Sequence, residues 1–192
     1  MVRISISGTH CTGKSTILDS LKEKYKKNGR IAFIEGPTRQ LKDLGYPINN
    51  DQASNYDSTQ LMCCHLDLEH LKKNKYLLTD EVISDRCLFD TLIYTRYLYQ
   101  NGKVSEPVMR VIESAWGLHK SDYDIILMPS KDDIKLVGDK YRNTDGEFRE
   151  TIHNMFIEEA VVSNLNCHLI SGTTGERVEQ IKNLVKLYHE IN

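Results

Sequence analysis

The densest short apolar run in this sequence, Ile125-Ile126-Leu127-Met128, stops at Pro129. That is far short of the ~20 apolar residues a membrane-crossing helix needs, so no membrane partner is expected. No charge of one sign dominates: 25 Lys and Arg face 27 Asp and Glu, a formal net charge of −2. Bulk attraction to nucleic acid or an anionic surface is thereby excluded, although a local basic groove is not. Cysteine is sparse and odd in number, five residues with no C-x-x-C pair, so a disulfide framework is not expected and a reduced, cytoplasmic protein is. The seven histidines contain no H-E-x-x-H, and His65 and His70 are spaced so that they do not share a helix face well; no zinc site is expected. Met1 leads directly into Val2-Arg3-Ile4-Ser5-Ile6 without the apolar core of a secretory signal.

What is present is ordinary globular material. Hydrophobic residues make up 40% of 192 and charged residues 27%, enough for one domain with a sizeable core, spanning 1–192. Short β-like runs alternate with helical patterns, which predicts an α/β domain: a three-layer α/β/α sandwich around a five-stranded parallel sheet. The predicted strands are Val2–Ser7, Ile31–Ile34, Val82–Ser84, Asp124–Met128 and His168–Ser171. Helices are predicted from Lys14, where Ile17, Leu18, Leu21 and Tyr25 share a face, over 52–74, 89–100, 107–119 and 148–165, and over 176–191, where Val178, Ile181, Leu184, Val185 and Tyr188 form the apolar stripe. In the 52–74 stretch Leu61, Met62, His65, Leu68 and Leu71 fall near helical spacing. Leu77-Leu78 reads equally well as helix end or strand start. Segment 131–149 is polar and charged, a surface excursion with the character of a lid.

The sharpest signal lies between the first strand and the first helix. Gly8-Thr9-His10-Cys11-Thr12-Gly13-Lys14-Ser15-Thr16 spells G-x-x-x-x-G-K-S, the P-loop pattern, in the strand-to-helix context it requires. Gly8 and Gly13 permit backbone geometry that turns the amides of His10, Cys11, Thr12 and their neighbours toward phosphate oxygens. The helix beginning at Lys14 adds the partial positive charge of its N-terminus. Lys14 supplies a full charge to the β- and γ-phosphates, Ser15 can ligate Mg²⁺, and Thr16 completes the segment. A nucleoside triphosphate, ATP with Mg²⁺, is the expected ligand.

A guanine-specific switch would carry N-K-x-D, and the only Asn-Lys pair, Asn74-Lys75, is followed by Tyr76-Leu77. Motor ATPases usually need more chain for lid domains or partner interfaces. Gly8–Thr16 together with Ile83-Ser84-Asp85-Arg86 resembles the P-loop nucleoside and nucleotide kinases, the group of thymidylate and deoxynucleoside kinases. The longer stretches from Ser84 to Tyr94 and from Asp139 to Arg149 look closest to the AAA-type, nicotinamide-riboside-kinase-like branch.

The resemblance implies a P-loop NTPase fold with the third strand beside the first, so that Asp85 emerges next to the loop. There it would orient or deprotonate the acceptor, or hold Mg²⁺ through water, and Arg86 would bind a phosphate or polarise the acceptor. Glu35 occupies a position where deoxynucleoside kinases place a catalytic or sugar-binding carboxylate, with Arg39 facing substrate; a solvated loop glutamate would look the same. Gln60 would line the acceptor pocket, or else be an exposed helical amide. Asp90 and Tyr94, one turn apart, are assigned chiefly to packing on the helix surface. Arg142, with Arg149 second, is the candidate arginine of a closing lid. Gly172 and Thr173 follow the fifth strand, where this group packs adenine, although a plain strand–helix turn fits equally.

The expectation is therefore an ATP- and Mg²⁺-dependent phosphotransferase acting on a small-molecule nucleoside or nucleotide acceptor. A kinase acting on a polynucleotide or a modified base in DNA, a partner-coupled regulatory ATPase and a nucleotide-sensing module stand as alternatives. Oligomeric state, a homodimer included, stays open.

Overall fold

The computed structural model describes residues 1–48, 52–74, 76–133 and 146–191. Five parallel strands, β1 (Val2–Ile6), β2 (Ile31–Ile34), β3 (Glu81–Asp85), β4 (Ile125–Pro129) and β5 (Cys167–Ile170), lie in the order β2-β3-β1-β4-β5. Helix α1 (Lys14–Lys24) follows β1; α2 (Pro37–Asp43) and α3 (Asp57–Asn74) follow β2. Helices α4 (Leu88–Gln100) and α5 (Glu106–His119) follow β3, α6 (Gly146–Val162) follows β4, and α7 (Thr174–Ile191) follows β5. The three-layer α/β/α sandwich and the P-loop NTPase fold expected from the sequence are both present.

A parallel strand covered on both faces must be apolar on both, which is why β4 is an unbroken buried run. Its side chains still alternate between two cores. Ile125 and Leu127 join Val2, Ile4 and Ile6 against α1 and α7, while Ile126 and Met128 pack toward α3–α6 around Phe89, Trp116 and Phe156. Register positions the chemistry. Ile6 lies opposite Asp85 on β3 and Leu127 on β4, so the segment starting at Ser7 leaves the carboxyl edge of the sheet between two neighbours. That crevice is where ligands enter open parallel sheets.

Three expectations are corrected. Helix α2 was not anticipated, because Pro37 reads as the end of β2; it instead sits at the first helical position, where a missing N–H costs nothing. Leu77 and Leu78 belong to neither helix nor strand but to the exposed connection from α3 to β3. In α3, which starts at Asp57, the buried face follows the apolar spacing only in part: Leu71 is buried and Leu68 packs against the core, but Leu61 and His65 are exposed, while Thr59, Gln60, Cys63, Cys64 and Asp67 are buried. A polar seam against α4 holds that face: Thr95 Oγ1 donates to Gln60 Oε1 at 2.8 Å and Thr91 Oγ1 to Asp67 Oδ2 at 2.8 Å. Most of the expected lid, 134–145 with Arg142, lies outside the described residues.

Candidate active site

The loop Ser7–Gly13 turns the chain from β1 into α1. Gly8 (φ 126°), Cys11 (φ 55°) and Gly13 (φ 82°) have positive φ. Gly13 caps α1 with no side-chain hydrogen bond, so the first-turn amides of that helix are not consumed by a capping side chain. They remain available to an anion. Lys14 is buried, and its Nζ donates to the Gly8 carbonyl at 2.8 Å, to the Thr9 carbonyl and to Thr12 Oγ1 at 3.3 Å. Burial, reinforced by the nearby Arg86 charge, pulls the ammonium pKa down to about 7.

The end of β3 meets this loop. Ser15 Oγ donates to Asp85 Oδ2 at 3.1 Å, while Asp85 Oδ1 is buried with no hydrogen-bond partner. An orphaned carboxylate oxygen beside a hydroxyl is a hard-oxygen donor set suited to Mg²⁺, which commonly takes one or two protein ligands and keeps water and phosphate for the rest. Among the described residues there is no cluster of three or more His, Cys, Asp or Glu able to hold a metal.

Arg86 has φ 74° and its Nη1 bonds Asp90 Oδ1 at 2.9 Å, with the guanidinium 5.4 Å from the Tyr94 ring centroid. Burial opposes its charge, but Tyr94, Asp90 and Asp85 outweigh that and hold its pKa above the ordinary arginine value. Asp90 is not on a helix surface. It is buried, caps α4 through the Cys87 amide at 3.2 Å and accepts the Gly8 amide at 3.3 Å, so one carboxylate ties Arg86 to the start of the loop. Burial raises the Asp90 pKa, against the pull of Arg86 and Lys14.

Across the cleft, Gly36 follows β2 so closely that a Cβ there would collide with the Asp85 carbonyl oxygen; only glycine fits. This approach brings Glu35 and Arg39 to the same opening. A cleft of ≈ 330 Å³ is lined by Lys14, Ser15, Asp85, Arg86, Glu35 and Arg39, with His10, Cys11, Thr12 and Gly13 along its loop side. Glu35 is exposed and bonded to Lys22 at 2.7 Å, and this bond holds its carboxyl below the ordinary range. The ring of His10 stacks on Phe148 at 5.2 Å.

Of the expected site residues, Gly8, Thr16, Gln60, Arg149, Gly172 and Thr173 are not among those that line the cleft. Thr16 is exposed on α1, outside the cleft lining. Gln60 is buried in the α3–α4 seam rather than exposed or on the cleft. Arg149 does not line the cleft: it is buried behind the loop, where Nη2 donates to the Cys11 carbonyl at 3.1 Å and the Lys131 carbonyl at 2.6 Å. Thr173 forms a capping box with Glu176, its amide and Oγ1 both bonding Glu176 Oε2 at 2.7 and 2.8 Å. The adjacent Gly172 amide donates to Asp133 Oδ2 at 2.8 Å. Thr173-x-x-Glu176 is a local signature legible in the sequence; the positions of Asp90 and Arg177, set by tertiary contacts, are not.

The sequence matches the family described as an AAA domain over residues 3–177. No curated protein matches it. Among solved structures it is similar to deoxyadenosine kinase from M. mycoides, with 20% identity, a TM-score of 0.71 and coverage of 96% of this chain and 99% of that one. Thymidylate kinase from Candida albicans is 18% identical with a TM-score of 0.68, covering 97% of this chain and 91% of that one. NadR protein in complex with NR is 14% identical with a TM-score of 0.73, covering 97% of this chain and 51% of that one.

Proposed function

From the premise that this chain belongs to the AAA domain family, on the fold of the P-loop nucleoside and nucleotide kinases, we propose that it is a kinase transferring the γ-phosphoryl group of ATP to a nucleoside or nucleotide. The observation that carries this reading is convergence: the loop residues Lys14 and Ser15 and the strand-end pair Asp85-Arg86 line one cleft. A bare nucleotide sensor needs the first pair and could use Asp85 for Mg²⁺, but it has no need of Arg86 to neutralise a transferring group.

In this reading the loop amides and Lys14 hold the triphosphate, with Nζ exchanging its carbonyl partners for phosphate oxygens. Asp85 accepts the proton of the acceptor hydroxyl as that oxygen forms its bond to the γ-phosphorus and the bond to the bridging oxygen of the departing ADP breaks. Arg86, its orientation fixed by Asp90, neutralises charge on the transferring group. Ser15 would hold Mg²⁺, which when bound supplies charge neutralisation; Asp85 is the alternative metal holder only where it does not serve the acceptor. Glu35 and Arg39 bound the acceptor side. The five free thiols fit a reducing compartment such as the cytoplasm, and among the described residues no helix is long and apolar enough to cross a membrane.

The test is an acceptor screen with γ-labelled ATP and Mg²⁺ over nucleosides, deoxynucleoside monophosphates, nicotinamide riboside and oligonucleotides. Label transfer to one of the small acceptors is expected. Transfer to oligonucleotides alone, or hydrolysis that no acceptor stimulates, overturns the reading.

A further inference from the structure

Two guanidiniums stand behind the phosphate loop. Arg149 Nη2 donates to the Cys11 carbonyl at 3.1 Å, and Arg177 Nη1 donates to the Thr12 carbonyl at 2.7 Å, so consecutive peptide units are each held by their oxygen. In a planar trans peptide the carbonyl and the following amide point in opposite directions. Fixing the Cys11 and Thr12 oxygens toward the protein therefore aims the Thr12 and Gly13 amides the other way, and both residues line the cleft.

Arg177 is the better placed of the two. It rises from the first turn of α7 and is 1% exposed, an uncommon fate for a charged side chain. Its Nη2 contacts the Ser130 carbonyl at 3.4 Å and Asp133 Oδ2 at 2.9 Å, and the same Asp133 oxygen accepts the Gly172 amide at 2.8 Å. One planar fork thus spans the loop, the end of β4 and the turn before α7. Because Asp133 pairs with it, the unit adds little net charge behind the phosphates; what it contributes is direction. A lysine, as a point charge, cannot satisfy a carbonyl and a carboxylate on separate nitrogens in that geometry.

We propose that Arg177 is a positioning residue for the donor: through the Thr12 carbonyl it keeps the loop amides aimed at the phosphates, and through Asp133 it ties them to the β5–α7 turn. The inference rests on the reading of this loop as a triphosphate site.

Full-length protein is titrated calorimetrically with Mg-ATP and with inorganic tripolyphosphate, and kinetic constants are measured alongside a thermal melt. Loss of one charge-assisted bond corresponds to about 10- to 100-fold. Arg177→Met is expected to weaken both ligands by that factor while leaving the acceptor KM within about twofold. Wild-type protein that binds neither ligand overturns both the donor-site reading and this inference. Wild-type binding with a folded Arg177→Met that binds equally well overturns the inference alone, as does a variant whose acceptor KM rises in step with its donor constant, the pattern of a merely structural role. Should Arg177→Met fail to fold, Arg177→Lys carries the test: weakening of about three- to tenfold for tripolyphosphate is expected, and unchanged affinity overturns the proposal.

Discussion

The two faces of the sheet share strands and differ in chemistry. Toward α1 and α7 the central strands present Val2, Ile4, Ile6, Ile125 and Leu127, and the helices answer with Ile17, Leu18, Leu21, Val178 and Ile181. Toward α3–α6 the same β1 presents Ser5, followed by Ser7 at the start of the loop; their hydroxyls are 2.8 Å apart, and Ser7 reaches Cys87 Sγ at 3.3 Å. Beyond them lie the buried Asp90, Asp67, Thr91 and Gln60. The alternation Ile4-Ser5-Ile6-Ser7 is therefore a division of labour. Toward α1 and α7 the sheet interior is apolar; toward α3–α6 an apolar core around Phe89, Trp116 and Phe156 is joined by hydrogen bonds that aim charges at the sheet edge. Substitutions of the groups aimed at the sheet edge should then alter turnover, and substitutions in the apolar cores stability.

The sharpest break comes from Lys14→Ala. A buried cation aimed at developing phosphate charge acts at low dielectric, and its loss should cut transfer about 10⁴-fold, roughly 5 kcal/mol. Circular dichroism should show the fold intact. Turnover near normal would remove Lys14 from the site. Further along the same helix, in the apolar core, Leu21→Ala is next in size. Leu21 is fully buried, so its truncation should lower unfolding free energy by about 2–5 kcal/mol in a urea titration. Well below the melting temperature kcat should be unchanged; a large drop there would mean that the apolar face also shapes the site.

Asp85→Asn tests the polar face at its rim. Keeping the shape while removing the charge should lower kcat about 10²-fold, near 3 kcal/mol, with ATP affinity changed far less. A matching loss in ATP affinity would assign Asp85 to holding Mg²⁺ with the donor rather than to the acceptor.

Much of this was legible before any coordinates. Buried parallel strands advertise themselves as apolar runs, and the loop motif combines fixed spacing with a fixed strand–helix context. Asp85 was found through the resemblance of Ile83-Ser84-Asp85-Arg86 to the nucleoside and nucleotide kinases, supported by its place at the end of a β run. What escaped was set by partners far apart in the chain. Asp90 looked like helix surface because its partners, the Gly8 amide and Arg86, converge only in the folded site. Arg177 reads as one more charge at the start of an amphipathic helix, yet its partner Thr12 is 165 positions away. In α3 apolar spacing held for Leu68 and Leu71 and misled at Leu61 and His65, because a face that serves a polar seam gives up hydrophobic residues. Arg142 falls outside the described residues, so its part in a lid stands as an expectation.

The smallest effect distinguishes the phosphate loop from the α3–α4 seam by protons. With its pKa near 7, Lys14 in the free protein is mostly neutral at pH 8, held by carbonyls and facing Arg86, Asp90, Asp85 and Cys11. Exchanging carbonyls for phosphate oxygens favours the ammonium and raises that pKa. Between pH 7 and the new value the bound state carries the extra proton, so donor affinity should fall as pH rises, by up to about tenfold, or 1.4 kcal/mol, per unit. Below pH 7 Lys14 is protonated in both states and its contribution is flat. Calorimetry at pH 8 in buffers of different ionisation enthalpy should record uptake of nearly one proton on Mg-ATP binding, and Lys14→Met should abolish it. Asp67, which burial raises to about 7, titrates in the α3–α4 seam away from the loop. Asp67→Asn should therefore leave the uptake in place, and its disappearance in that variant would show that the seam, not the loop lysine, senses the donor.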